Sequence, residues 1–150
     1  MKILLVEDDY DKRERIINHI NFVTNNEAAI ISKESLRSGL RAVIEEKEID
    51  LLLLDMSMPS FDISAADPLG GEPESFAGYE IMAQMKLRRI NTPVVVVTQY
   101  KSFENGAVSL DELILGFSKE YSFFKGCIYY NSATEDWKAE ILSYLIMDEK

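Results

Sequence analysis

The sequence is most constrained by Leu51-Leu52-Leu53-Leu54, bounded by Asp50 on one side and Asp55 on the other. Four leucines in succession leave a strand no polar face. Such a strand suits a parallel sheet covered by helices on both sides. Asp55 stands where this strand runs out, and in an open parallel sheet the ligand crevice lies beyond the carboxyl ends of the strands. One acid at such a point reads equally well as a loop cap. A second stretch shifts the balance, because Ile3-Leu4-Leu5-Val6 is another short apolar strand and also ends in acids, Glu7-Asp8-Asp9.

The remaining chain fits the same scheme. Lys2 to Val6 reads as strand one. Helix one starts near Asp9 to Asp11, where acids suit the helix dipole; Ile16, Ile20 and Val23 mark its inner face, and Lys12, Arg13, Glu14 and Arg15 are placed on the other. Ala28 to Ser32 is strand two, and Leu36, Leu40, Val43 and Ile44 give helix two, running to about Lys47. The leucine run is strand three. Helix three opens at Gly78, with Tyr79, Met82 and Met85 on one face. Val94 to Val97 is strand four, ending in Thr98. Ser109 to Glu112 has capping-box spacing ahead of helix four, with Leu110, Leu113, Ile114, Phe117 and Tyr121 on one face. Cys127 to Tyr130 is strand five. Ser132 to Glu135 is a second capping box, and helix five turns Trp137, Ile141, Tyr144 and Leu145 inward.

Strands alternating with helices predict an α/β fold: a doubly wound, five-stranded parallel sheet of flavodoxin-like order 2-1-3-4-5, helices on both faces. The chain has 150 residues, enough for one domain, 1–150. The switch point lies between strands one and three, the two that end in carboxylates. A net charge of −10 argues against nucleic acid as partner. No apolar run approaches the ~20 residues of a membrane span, no signal peptide precedes strand one, and the single cysteine, Cys127, closes no internal disulfide. A cytoplasmic protein is expected.

Adjacent strands lie ~4.8 Å apart, so Glu7 or Asp8 would share a crevice with Asp55. Such crowding raises at least one carboxyl pKa, and a hard divalent cation relieves it. Mg2+ takes a few carboxylate oxygens, a backbone carbonyl and waters; the carbonyl of Ser57 is placed to be one ligand. A carboxylate beside Mg2+ can attack a phosphoryl group, and Thr98 could hydrogen-bond a phosphoryl oxygen.

Ile3-Leu4-Leu5-Val6-Glu7-Asp8-Asp9, Asp50 to Pro59, Gly78-Tyr79-Glu80-Ile81-Met82 and Thr92-Pro93-Val94-Val95-Val96-Val97-Thr98 together resemble the receiver domain of bacterial two-component response regulators. The resemblance runs from Met1 to Thr98 and less clearly to the end. It implies Glu7 and Asp8 as the acidic metal-binding pair, Asp55 as phosphoacceptor, Ser57 as carbonyl ligand and Thr98 as switch hydroxyl. It implies Mg2+ as cofactor and a histidine kinase or phosphotransfer protein as donor. It also implies an output protein reached through helix four, strand five and helix five. A DNA-binding output domain is not expected within the 150 residues. The expected role is a signalling phosphoacceptor, not an enzyme beyond self-phosphorylation and self-dephosphorylation.

The chain departs from the family twice. Met58-Pro59-Ser60-Phe61-Asp62 is present, but the family's glycine appears only at Gly78, so residues 63–77 read as an insertion beside the pocket, serving as lid, partner contact or passive loop. The family's strand-five lysine is missing: the stretch is Tyr129-Tyr130-Asn131-Ser132. Lys125 lies at the opposite end of the strand, and Lys101 reads as an exposed loop residue. This loss favours an alternative, a pseudo-receiver interaction module that does not use phosphate. A Mg2+-dependent phosphohydrolase ranks lower, since Ser57 stands where such enzymes commonly carry a second acid. His19 reads as a solvent-facing helix residue, and Trp137, Met82, Met85 and Cys127 as core. Tyr121 and other aromatics on helices four and five fit either a homodimer face or core.

Overall fold

The computed structural model describes residues 1–59, 73–74, 77–100, 102–103 and 108–147. Five strands form the main sheet: β1 (Lys2–Val6), β2 (Ala29–Lys33), β3 (Leu51–Leu54), β4 (Val94–Thr98) and β5 (Phe124–Tyr129). All are parallel, in the order β2-β1-β3-β4-β5. Helices α1 (Tyr10–Val23), α2 (Leu36–Glu45), α3 (Ala77–Leu87), α4 (Leu110–Glu120) and α5 (Asp136–Met147) connect and cover them. The doubly wound α/β architecture is therefore as the residue pattern predicts.

Strand alternation sorts the apolar runs into two cores. Leu4, Val6, Leu52, Leu54, Val94 and Val96 pack against α2, α3 and α4 through Val43, Met82, Met85 and Phe117. Ile3, Leu5, Leu51, Leu53, Val95 and Val97 pack against α1 and α5 through Ile16, Ile20, Trp137, Ile141 and Leu145. An unbroken leucine or valine run serves both faces at once. Met82, Met85 and Trp137 are core residues, as their spacing implies.

Helix ends follow local chemistry, with some revisions. Asp9 caps α1, its Oδ1 accepting the Lys12 N–H at 3.1 Å. Ser35 and Ser38 close a capping box on α2, and Ser109 accepts the Glu112 N–H at 3.2 Å ahead of α4. The second expected box does not form. α5 begins only at Asp136, and Asn131 instead folds the approach into a turn, its Oδ1 accepting the Ala133 N–H at 2.9 Å. α2 ends at Glu45, short of Lys47. α3 starts at Ala77, so the last residue of the expected 63–77 insertion is helical. Pro73–Glu74 pairs antiparallel with Met58–Pro59; the rest of 63–77 lies outside the described residues, as does Lys101. Tyr79 is exposed although its neighbours Met82 and Met85 are buried. His19 is half-buried against Trp137, with Nε2 3.0 Å from the Lys138 carbonyl oxygen. Tyr121 is buried and stacked on Phe123, so it contributes to core and not to a sticky face.

Candidate functional site

The ladder that ends β1 and β3 also fixes the acids beyond them. The Glu7 N–H donates to the Lys33 carbonyl at 2.9 Å, and the Asp55 N–H to the Val6 carbonyl at 3.1 Å. Both residues continue the alternation of the α1/α5 face: Ile3, Leu5, then Glu7; Leu51, Leu53, then Asp55. Their side chains therefore meet under the start of α1. Carboxylate oxygens of Glu7, Asp8 and Asp55 lie within 4.8 Å of one another. Glu7 and Asp55 are buried, while Asp8 is exposed at the rim. The set is suited to a hard divalent cation, which takes oxygen ligands.

Asp55 is held from several sides. Its Oδ1 accepts the Met56 N–H at 2.8 Å. Gly78, in the first turn of α3, donates its N–H to the Met56 carbonyl at 3.1 Å. A Cβ on Gly78 would stand 2.7 Å from the Asp55 carbonyl oxygen, so α3 packs on this loop as closely as glycine permits. Ser57 follows in the same loop and is half-buried. Thr98 is buried at the end of β4; its Oγ1 accepts the Tyr100 N–H at 3.2 Å, and its carbonyl accepts the Tyr130 N–H at 2.7 Å. Leu54 pairs with Val96, so Thr98 lies beyond the Asp55 level on the neighbouring strand.

The residue that sequence reasoning misplaced is Lys12. Expected on the outer face of α1, it is 2% exposed. Its Nζ lies 2.5 Å from Glu7 Oε1 and 3.5 Å from Asp55 Oδ1. It also donates to the Val97 carbonyl at 2.9 Å. The reason is helical spacing: Lys12 precedes Ile16 by four residues and Ile20 by eight, so it belongs to the inward stripe. Its stem covers apolar strand surface while its ammonium reaches the acids. The Tyr130 ring lies 5.7 Å from Nζ, and Arg15 donates to the Tyr130 hydroxyl at 3.2 Å and to the Ser132 carbonyl at 3.0 Å. Lys125 is exposed near the opposite end of β5, where Phe124 pairs with Val94, and so lies away from the acids.

The electrostatics follow from this crowding. Burial pushes the Glu7 carboxyl up to about 9; Lys12 opposes that shift, and the Asp55 charge adds to it. Burial, then Asp55, also raises Asp8. For Lys12, burial pulls the ammonium down, but Asp55 and Glu7 outweigh it and the net direction is up. The Glu7 and Lys12 shifts pull against each other, since a proton on Glu7 would remove a charge that holds Lys12. The contact brings an ammonium donor against a carboxyl acceptor inside the protein, where each group compensates the other's burial. Removing either partner of such a buried pair typically costs about 3–5 kcal/mol.

No family model matches the chain. It is 28% identical over 150 residues to the Detocs response regulatory protein DtcB of Vibrio alginolyticus, covering 95% of this chain and 98% of that protein. It is 26% identical over 145 residues to the protein of the same name from Enterobacter cloacae strain JD6301, covering 95% and 96%. Among solved structures, a CheY-like response regulator receiver domain protein from Methanospirillum hungatei JF-1 superposes with a TM-score of 0.62 at 19% identity, covering 99% of this chain and 95% of that one. Strand order, acids at the ends of the two central strands, and likeness to response regulatory proteins along nearly the whole length agree: the chain has the fold of a receiver domain and is similar over almost its full extent to response regulatory proteins.

Proposed function

We propose that this receiver accepts a phosphoryl group on Asp55 and signals through protein–protein contacts. The observation that carries the reading is the convergence of Glu7, Asp8 and Asp55 within 4.8 Å from two neighbouring strand ends. Asp55 is the member fixed on the central strand, with its backbone tied to β1 and its loop tied to α3. One carboxylate oxygen would attack phosphorus as the bond from phosphorus to the donor's leaving group breaks, and the leaving group departs in line. Glu7, Asp8, Asp55 and the Ser57 carbonyl would hold Mg2+, and the hard oxygen set fits it. Bound there, the cation would offset the negative charge that otherwise repels an anionic donor. Thr98 would bond a phosphoryl oxygen by its hydroxyl.

A histidine kinase or phosphotransfer protein is the donor this reading requires, with a separate protein as output partner. Likeness to response regulatory proteins supports the signalling role. Among the described residues no helix is long and apolar enough to cross a membrane. A pseudo-receiver is the second reading. What favours it is a pocket whose acids already have an internal counter-ion in Lys12.

The deciding experiment treats the chain with phosphoramidate and Mg2+ and reads intact mass. A mass gain of one phosphoryl group in the wild type, lost in Asp55→Asn, supports the phosphoacceptor. No gain with small donors or with a partner kinase, and partner binding indifferent to Asp55→Asn, selects the pseudo-receiver.

A further inference from the structure

Lys12 is the one buried cation among the described residues. Its three close acceptors are Glu7 Oε1, the Val97 carbonyl and, more loosely, Asp55 Oδ1. An ammonium has three donors, so this coordination is complete. The group reaches the acids from α1, while Asp8 is the exposed member of the cluster. A cation bound by the acid cluster would share Glu7 and Asp55 with Lys12.

We propose that Lys12 is the positioning cation of this site, compensating the charge on Asp55 before and after phosphoryl transfer, and doing so from helix α1. The second half rests on Asp55 being the phosphoacceptor; the first does not. An Asp55 adduct carries its negative charge on phosphoryl oxygens instead of Oδ1. Lys12 then trades its 3.5 Å contact for a phosphoryl oxygen by a small swing of a four-carbon stem. The Val97 carbonyl and Glu7 anchor the swing. Because α1 carries the lysine, the altered charge is felt first by α1. The Arg15 bonds to Tyr130 and Ser132 then pass it to the end of β5 and the turn before α5. The acids and the cation thus arrive from three separate elements, and Lys12 compensates part of the pocket's negative charge from within.

The test compares wild type, Lys12→Met and the exposed control Lys119→Met. Mg2+ affinity is measured by titration calorimetry, and phosphoryl gain from phosphoramidate by intact mass over time. Removing a unit charge a few ångströms from the carboxylates should tighten Mg2+ binding in Lys12→Met by about tenfold or more. Phosphoryl gain in the same variant should slow by about tenfold or more, since the incoming charge loses its partner. Lys119→Met should change neither. Mg2+ binding that is absent or no tighter in Lys12→Met overturns the proposal, as does an unchanged phosphoryl rate. If the wild type takes no phosphoryl group, the phosphoacceptor reading falls, and the Mg2+ arm alone decides the role of Lys12. Should Lys12→Met fail to fold, carbon-13 lysine spectra of the wild type serve instead. The Lys12 Cε signal must move on adding Mg2+ and again on adding phosphoramidate, and a stationary signal overturns the proposal.

Discussion

Replacing Gly78 by alanine would push directly on the backbone of the candidate phosphoacceptor. The added Cβ would meet the Asp55 carbonyl oxygen at 2.7 Å, Met56 Sδ at 3.0 Å and Met56 Cα at 3.2 Å. The thioether can swing aside, but two of the three obstacles are backbone. That backbone is held by the Asp55 N–H bond to Val6 and the Gly78 N–H bond to Met56. Relief therefore needs α3 or the Asp55–Met56 peptide to shift by roughly half an ångström. Overpacking of this kind costs about 1–3 kcal/mol. For a chain of this length each kcal/mol moves Tm by about 2–4 °C, so Gly78→Ala should lower Tm by roughly 2–12 °C. If Asp55 is the phosphoacceptor, as proposed, displacing its carboxylate should also slow phosphoryl gain by about tenfold, since a misplacement near 1 Å can cost ~100-fold. Gly116→Ala in α4 is the control: nothing lies within 4 Å of its Cβ. It should raise stability by about 0.5–1 kcal/mol through helix propensity. Scanning calorimetry and the intact-mass time course measure both variants. An unchanged Tm and phosphoryl rate in Gly78→Ala would refute the close-packing argument.

Two further predictions use other close contacts. A Cβ at Gly126 would fall 1.9 Å from Tyr144 Oη and 2.9 Å from Cζ. Gly126→Ala should therefore destabilise by about 1–3 kcal/mol, and adding Tyr144→Phe should restore much of the loss; equal denaturation midpoints for single and double variants would contradict the clash. Burial, with Glu140 adding, pushes the Cys127 thiol up to about 12. Since the thiolate is the reactive form, disulfide-reagent labelling of folded protein should be slow at pH 8 and climb steeply to pH 10. Unfolded protein should react fast and level off above about pH 9, so matching pH profiles in the two states would count against the burial.

Much of this architecture was legible from local pattern. Runs such as Leu51–Leu54 and Val94–Val97 demand cover on both faces, and only a parallel sheet between helix layers supplies it. Asp9 and Ser109 are capping residues whose role depends on a few neighbours. Ser132 failed as a cap because Asn131 formed a competing turn, a choice between two local bonds that the spacing alone did not reveal.

The candidate site divides in the same way. Alternation puts Glu7 on the side of Ile3 and Leu5, and Asp55 on the side of Leu51 and Leu53. Both strands are apolar on both sides, however, so only the register Ile3–Leu51 and Leu5–Leu53 shows that Glu7 and not Asp8 shares the face of Asp55. What sequence could not decide is which helix lies over that face, or how far a side chain on it reaches. Lys12 carried a helical-spacing signal four residues before Ile16, but a charged residue is ordinarily assigned to water. Burying an ammonium is unfavourable unless acids are waiting for it. Those acids are brought within 3.5 Å only when β1, β3 and α1 have packed together. The acids at the two strand ends were thus written in the chain, while their shared face came from strand register and their counter-charge from three elements meeting in space.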